Sequence, residues 1–148
     1  MVEANQPAAG MQVDETSQPA HSYDYDVFVI GGGSGGISCA RTAANLGKKA
    51  ALADFVPPTP IGTKWGIGGT CVNVGCIPKK MMHYAGILAE ARTDMAAQGW
   101  NIDAEEKPDW GKMVQSIQAN IKQLNWGFKA DLIKAKCKYF NMYASFVD

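Results

Sequence analysis

The 148 residues suffice for one modest domain with a real core, and 47% hydrophobic with 19% charged residues is an ordinary globular balance. Lys+Arg and Asp+Glu both number 14, so no basic excess draws the chain to nucleic acid or an anionic membrane. No apolar run approaches the roughly 18 residues that a membrane span needs. Residues Met1 to Ser22 are rich in Ala, Gln, Pro and Ser, and hold no Lys or Arg. They lack the basic start and apolar run of a secretory signal and the arginines of a transit peptide, so a disordered cytosolic tail is expected there. Residues 23–148 are left for the folded domain.

Tyr25 to Ile30 is a short β-branched, aromatic run that stops at glycines, the composition of a buried parallel strand. Gly35 to Gly47 follows as a helix, with a partial apolar face at Ile37, Ala40, Ala44 and Leu46 and with Gly47 as its stop. Ala50 to Phe55 is a second strand, ended by Pro57-Pro58. Together they make a β-α-β unit with parallel strands. Past a glycine-rich stretch and a cysteine segment, Met81 to Gln98 is expected as a helix ending at Gly99. Asp109 is placed to cap a longer helix, in which Met113, Ile117, Ile121, Leu124, Phe128 and Leu132 recur every three or four residues as a core-facing stripe. Tyr139 to Val147 alternates and carries aromatics, which predicts a closing strand.

Gly31, Gly33 and Gly36 form G-x-G-x-x-G between the first strand and its helix. Asp54 ends the next strand at about the 20-residue spacing expected of an acidic ribose ligand. The chemistry accounts for the residue types. Gly31 permits a tight turn, Gly33 lets the backbone approach a pyrophosphate, and Gly36 lets the helix lie close to the strand. The helix N-terminus then offers N–H groups and its dipole to the anion. A carboxylate at 54 accepts from ribose hydroxyls and repels a 2′-phosphate, which disfavours NADP at this site. FAD and NAD remain equally compatible with the fingerprint alone.

Cys71 and Cys76 bracket Val72-Asn73-Val74-Gly75. An extended backbone would hold their ends about 16 Å apart, beyond the roughly 7 Å that a disulfide tolerates, so a bonded pair requires the chain to fold back. So short a loop adds only about 2 kcal/mol of chain-entropy stabilisation, which favours redox exchange over a structural staple. Half a zinc site is the rival, but a structural site needs four ligands and His83 is the only histidine nearby. Ile77-Pro78-Lys79-Lys80 signals a helix start directly after Cys76, where the dipole and the lysines favour a thiolate. Cys39 and Cys137 have no sequence partner and are expected to be buried and inert.

The run Trp65-Gly66-Ile67-Gly68-Gly69-Thr70-Cys71-Val72-Asn73-Val74-Gly75-Cys76-Ile77-Pro78-Lys79-Lys80 resembles the FAD and disulfide signature of the pyridine-nucleotide disulfide oxidoreductases. The leading Trp-Gly, Ile77, Met81-Met82-His83, Leu124-Asn125-Trp126-Gly127-Phe128 and residues 139–148 are similar to the thioredoxin-reductase branch more than to glutathione reductase. The resemblance implies a Rossmann-like α/β FAD-binding domain, a parallel sheet with helices, incomplete at its carboxyl end. Gly31, Gly33, Ser34, Gly35, Gly36 and Asp54 would hold the FAD pyrophosphate and ribose, with Thr70 beside the cofactor. Cys76 would be the charge-transfer thiol, Cys71 the interchange thiol, and Lys79 the residue that tunes the flavin. Electrons would pass from NADPH to flavin, to the Cys71–Cys76 disulfide, and on to thioredoxin.

The family's catalytic histidine comes from the far carboxyl end of the partner in a homodimer. His83 does not match it. No second glycine fingerprint for NADPH, no dimerisation domain and no carboxyl-terminal redox tail is found among the 148 residues. A glutathione reductase and a truncated, non-catalytic product are the alternatives, and no turnover by this chain alone is expected.

Overall fold

A computed structural model describes residues 22–102 and 107–147. The expected amino-terminal tail therefore lies outside the described residues, apart from Ser22. Three parallel strands, β1 (Val27–Ile30), β2 (Ala50–Ala53) and β3 (Lys138–Phe140), form a sheet in the order β1-β2-β3. Helix α1 (Ser34–Asn45) joins β1 to β2. Helices α2 (Gly69–Asn73), α3 (Cys76–Ala97) and α4 (Trp110–Lys134) lie between β2 and β3. The expected Rossmann-like β-α-β arrangement is present.

Register explains how the sheet divides its two faces. Val29, Leu52 and Tyr139 stand side by side, as do Phe28, Ala51 and Lys138. The first row joins Ile37, Ala40, Ile67, Leu132 and Phe128 in the core beneath α1 and α4. The opposite face carries an aromatic cluster of Tyr25, Phe28 and Phe140, whose ring centroids lie 5.8–6.2 Å apart. Consequently β1 is not the fully buried strand its composition suggests. Phe28 and Ile30 remain about half exposed, because α1 and α4 cover one face alone. Central β2 is buried throughout.

The helix stops and starts follow local chemistry. Gly47 adopts φ +82° just past α1, its N–H bonded to the Ala44 carbonyl. Asp109 caps α4, its Oδ1 accepting from the Lys112 N–H at 2.9 Å. The apolar stripe of α4 faces inward, with Ile117, Ile121 and Leu132 buried. Helix α3 begins at Cys76 itself, earlier than the expected Met81 and in line with the start signal at Ile77-Pro78.

The carboxyl-terminal strand is shorter than expected. It ends at Phe140, whose carbonyl accepts from the Asp54 N–H at 3.0 Å. Past Phe140 the chain pairs with no strand among the described residues, and residues 141–147 lie mostly exposed. No helix among the described residues is long and apolar enough to cross a membrane.

Candidate functional site

The turn after β1 is built for close approach. Gly31 takes φ +105°, open to glycine and strained for other residues, and its N–H bonds to the Ala53 carbonyl at 2.8 Å. A Cβ on Gly36 would run into the Gly31 carbonyl oxygen, so only glycine allows α1 to start this close to β1. Helix α1 has no side-chain cap at Gly33. The N–H groups of Gly35 and Gly36 in its first turn therefore have no side-chain acceptor at the cap, the condition for an anion-binding helix end. A side chain at Gly35 would meet nothing, so a cofactor has open access there.

Asp54 is half-buried at the end of β2, and its Oδ1 accepts from the Gly32 N–H at 2.8 Å. A Cβ on Gly32 would lie 2.7 Å from the Asp54 Cγ, so the carboxylate rests directly on the glycine turn. Gly32 is a contact that sequence reasoning passed over, because the fingerprint attends to the first, third and sixth positions. One bond to Gly32 leaves Asp54 with further acceptor positions for a ribose hydroxyl. An open helix end, a glycine turn at positive φ and a carboxylate one strand away fit the diphosphate and ribose of a dinucleotide such as FAD.

The cysteine segment is bonded onto this turn. The Gly68 N–H donates to the Gly32 carbonyl at 2.8 Å, and Gly33 and Gly68 form an isolated parallel bridge. Gly68 and Gly69 take φ +135° and +68°, and a Cβ on Gly69 would lie 2.8 Å from the Gly33 Cα. The chain then enters α2, a short helix unforeseen in the sequence because glycines at 68, 69 and 75 mask its pattern. Cys71 sits within α2 and Cys76 opens α3. The fold-back required of a bonded pair is thus a helix–turn–helix, with a Cβ at Gly75 only 2.9 Å from the Thr70 carbonyl oxygen. Thr70 itself is exposed in the first turn of α2.

Both cysteines are free thiols here, Cys71 half-buried and Cys76 exposed. The Cys71 thiol is pushed above the ordinary range, first by its hydrogen bond with the Cys76 side chain, then by burial and by the Cys76 charge. The Cys76 backbone and the ammonium of Lys79 act in the opposite direction. Lys79 lies in the first turn of α3, its N–H bonded to the Gly75 carbonyl at 3.1 Å.

Of the other two cysteines, Cys137 is buried as expected, and burial pushes its thiol up. Cys39 is exposed, contrary to expectation. Ile37 and Ala40 take the inner side of α1, which turns Cys39 outward. His83 is exposed on α3. Among the described residues no group of three His, Cys, Asp or Glu gathers as metal ligands.

Two amides, Asn73 buried and Asn125 half-buried, complete the junction, and neither was singled out from its residue type. Asn73, 7% exposed, is hydrogen-bonded to Gly66, Gly69 and Asn125. Asn125 on α4 also reaches the Ile67 carbonyl. A lone polar residue between two valines at 72–74 is the signal that could have found Asn73.

Comparison with known proteins shows which family the chain falls in. The chain is 54% identical over 127 residues to "Thioredoxin reductase 2, mitochondrial" of Drosophila melanogaster, covering 85% of this chain and 25% of that protein. It is 55% identical over 124 residues to "Thioredoxin reductase SEP1" of Emiliania huxleyi, covering 84% and 25%. It therefore spans about a quarter of the length of these curated relatives. Residues 25–142, which hold the glycine turn, Asp54, the cysteine pair and both amides, match the pyridine nucleotide-disulphide oxidoreductases, and the chain belongs to that family.

Proposed function

We propose that this chain forms the FAD-binding and redox-disulfide part, residues 23–148, of an NADPH-dependent thioredoxin reductase that works as a homodimer. The observation that carries this reading is the Gly32–Gly68 hydrogen bond, which fastens the dinucleotide turn to the cysteine segment. The relatives' names favour thioredoxin over glutathione as the acceptor.

In this reading the first-turn N–H groups of α1 hold the FAD pyrophosphate, and Asp54 orients the adenosine ribose. Thr70 would lie beside the cofactor, and Lys79 brings a positive charge to the pair. Bound there and reduced by NADPH, the flavin would supply the two electrons with which the Cys71–Cys76 bond opens to a dithiol. In the dithiol, Cys71 keeps its proton to higher pH than an ordinary thiol because of Cys76.

Once deprotonated, the Cys71 sulfur attacks one sulfur of the next disulfide on the way to thioredoxin. A mixed disulfide forms, and the other sulfur of that acceptor leaves as thiolate. The Cys76 sulfur, giving up its proton, then attacks Cys71, re-forming the Cys71–Cys76 bond, and the acceptor leaves as a dithiol once its two sulfurs take up the two protons.

Cys71→Ser and Cys76→Ser, made in the full-length protein, are expected to abolish NADPH-driven thioredoxin reduction. The visible flavin spectrum should remain in both. Retained turnover in either variant refutes the assignment of the pair. A desalted wild-type protein without flavin bands refutes the cofactor assignment.

A further inference from the structure

The Cys71–Cys76 geometry depends on a helix that cannot hold its own shape. Helix α2 spans only Gly69–Asn73, a single turn, and isolated helices that short are unstable in water. Its place is set by what grips its last residue. The Asn73 Oδ1 accepts from the Gly66 N–H and from the Asn125 Nδ2, both at 3.2 Å. The Asn73 Nδ2 donates to the Gly66 carbonyl at 2.9 Å and to the Gly69 carbonyl at 2.8 Å. Both donors and both oxygen positions of the amide are engaged, so it has a single satisfied orientation.

Asn125 supplies the connection to the rest of the fold. It stands on α4, 52 positions from Asn73 in sequence, and its Nδ2 also donates to the Ile67 carbonyl at 2.7 Å. A Cβ on Gly66 would collide with the Asn125 side chain, so the glycine makes room for this amide. One NH2 group thus ties α2 and the irregular Gly66–Gly68 segment to the core helix α4. Asn73 lies between the two cysteines, so a shift of its amide moves Cys71 relative to Cys76.

We propose that Asn125 is a positioning residue for the Cys71–Cys76 pair, holding the two sulfurs in bonding register through Asn73. The proposal rests on the reading of Cys71 and Cys76 as the redox pair. Without the Asn125 donor, the Asn73 oxygen keeps one partner and the Ile67 carbonyl loses its own. The α2 turn then samples wider sulfur separations, and the strict geometry of a disulfide becomes harder to reach.

The test is made in the full-length, flavin-loaded protein with Asn125→Asp, which keeps the shape and removes both donors, and with Asn125→Ala. Gln123→Ala, at an exposed position on the same helix, serves as control. Each protein is equilibrated with dithiothreitol over a range of oxidised-to-reduced ratios, and the Cys71–Cys76 bond is quantified by mass spectrometry after trapping. In that equilibrium the reagent gives two electrons and two protons, the Sγ–Sγ bond breaks to two thiols, and the reagent closes to its own disulfide.

Both Asn125 variants should be reduced at about tenfold lower reductant ratio, the worth of roughly one hydrogen bond to a buried group. Iodoacetamide alkylation of Cys71 should move to lower pH, because its hydrogen bond with Cys76 is what raises that thiol most. The control should match wild type. Variants that melt earlier but keep the wild-type disulfide equilibrium and alkylation profile would reduce Asn125 to a packing residue and overturn the proposal. A wild-type protein that never forms the Cys71–Cys76 bond would instead overturn the redox-pair reading itself.

Discussion

The junction around Gly32 and the outer helix pair α3–α4 are organised by opposite means. At the junction, backbone groups bond to one another, and side chains are small or missing, so that chain segments meet at Cα distance. In the outer pair, long side chains set the contacts, yet much apolar surface stays open. Pro78 is the only buried residue of α3, while Tyr84, Ile87 and Leu88 are exposed. A groove of about 580 Å³ runs between the two helices, lined by Met81, Tyr84, Leu88, Met113 and Ile117 among others. Chemistry is therefore concentrated where added atoms are least tolerated.

Substitutions can break this contrast. The largest effect is expected at Gly36, where Gly36→Val drives a branched side chain against the Gly31 carbonyl. Its cost should reach the upper end of overpacking, about 3 kcal/mol or more. Denaturant midpoints and flavin content would register it, and an unchanged midpoint would show that the junction is less close-fitting than described.

A smaller, directional effect is expected at the thiols. Cys76→Ala removes the first and third influences that raise Cys71, so Cys71 should ionise, and alkylate, at lower pH. Lys79→Gln removes a charge that lowers it and should move the same profile to higher pH. Movement in one direction for both variants would contradict the electrostatic picture.

The smallest effect is expected in the outer helices. Leu88→Ala trims a half-exposed side chain and should change stability by no more than about 0.5 kcal/mol. A loss comparable to that at Gly36 would erase the distinction between the two regions.

Much of this division was legible before any coordinates, and for identifiable reasons. Gly31, Gly36 and Asp109 act through local backbone geometry, which neighbouring residues dictate, and each stands as its sequence context implies. The α4 stripe was legible because about five turns of periodicity, from Met113 to Leu132, outweigh local noise. Cys39 was misjudged because a single cysteine carries no phase. Only the helix register set by Ile37 and Ala40 puts it outside. Helix α2 was missed because one turn has no period to detect. The Asn73–Asn125 contact was beyond reach for another reason. It joins residues 52 positions apart, and nothing in one sequence says which distant amides meet. The strand expected at Tyr139–Val147 failed past Phe140 because pairing depends on where the partner chain ends, which a strand's own residues do not record.

Gly32 is gripped from both sides, by Asp54 through its N–H and by Gly68 through its carbonyl. The intervening residues 55–67 thus leave and return to the same point. Their tip closes on itself through Thr59, whose Oγ1 accepts from the Thr63 N–H at 3.0 Å and whose carbonyl accepts from the Gly62 N–H at 2.7 Å. Doubling the length of such an anchored excursion adds only about 0.6 kcal/mol of closure entropy. The protein can therefore accept inserted or exchanged residues around the solvent-facing Ile61 while the dinucleotide turn and the cysteines stay where they are. That makes this loop a place where length and surface can change without touching the redox chemistry.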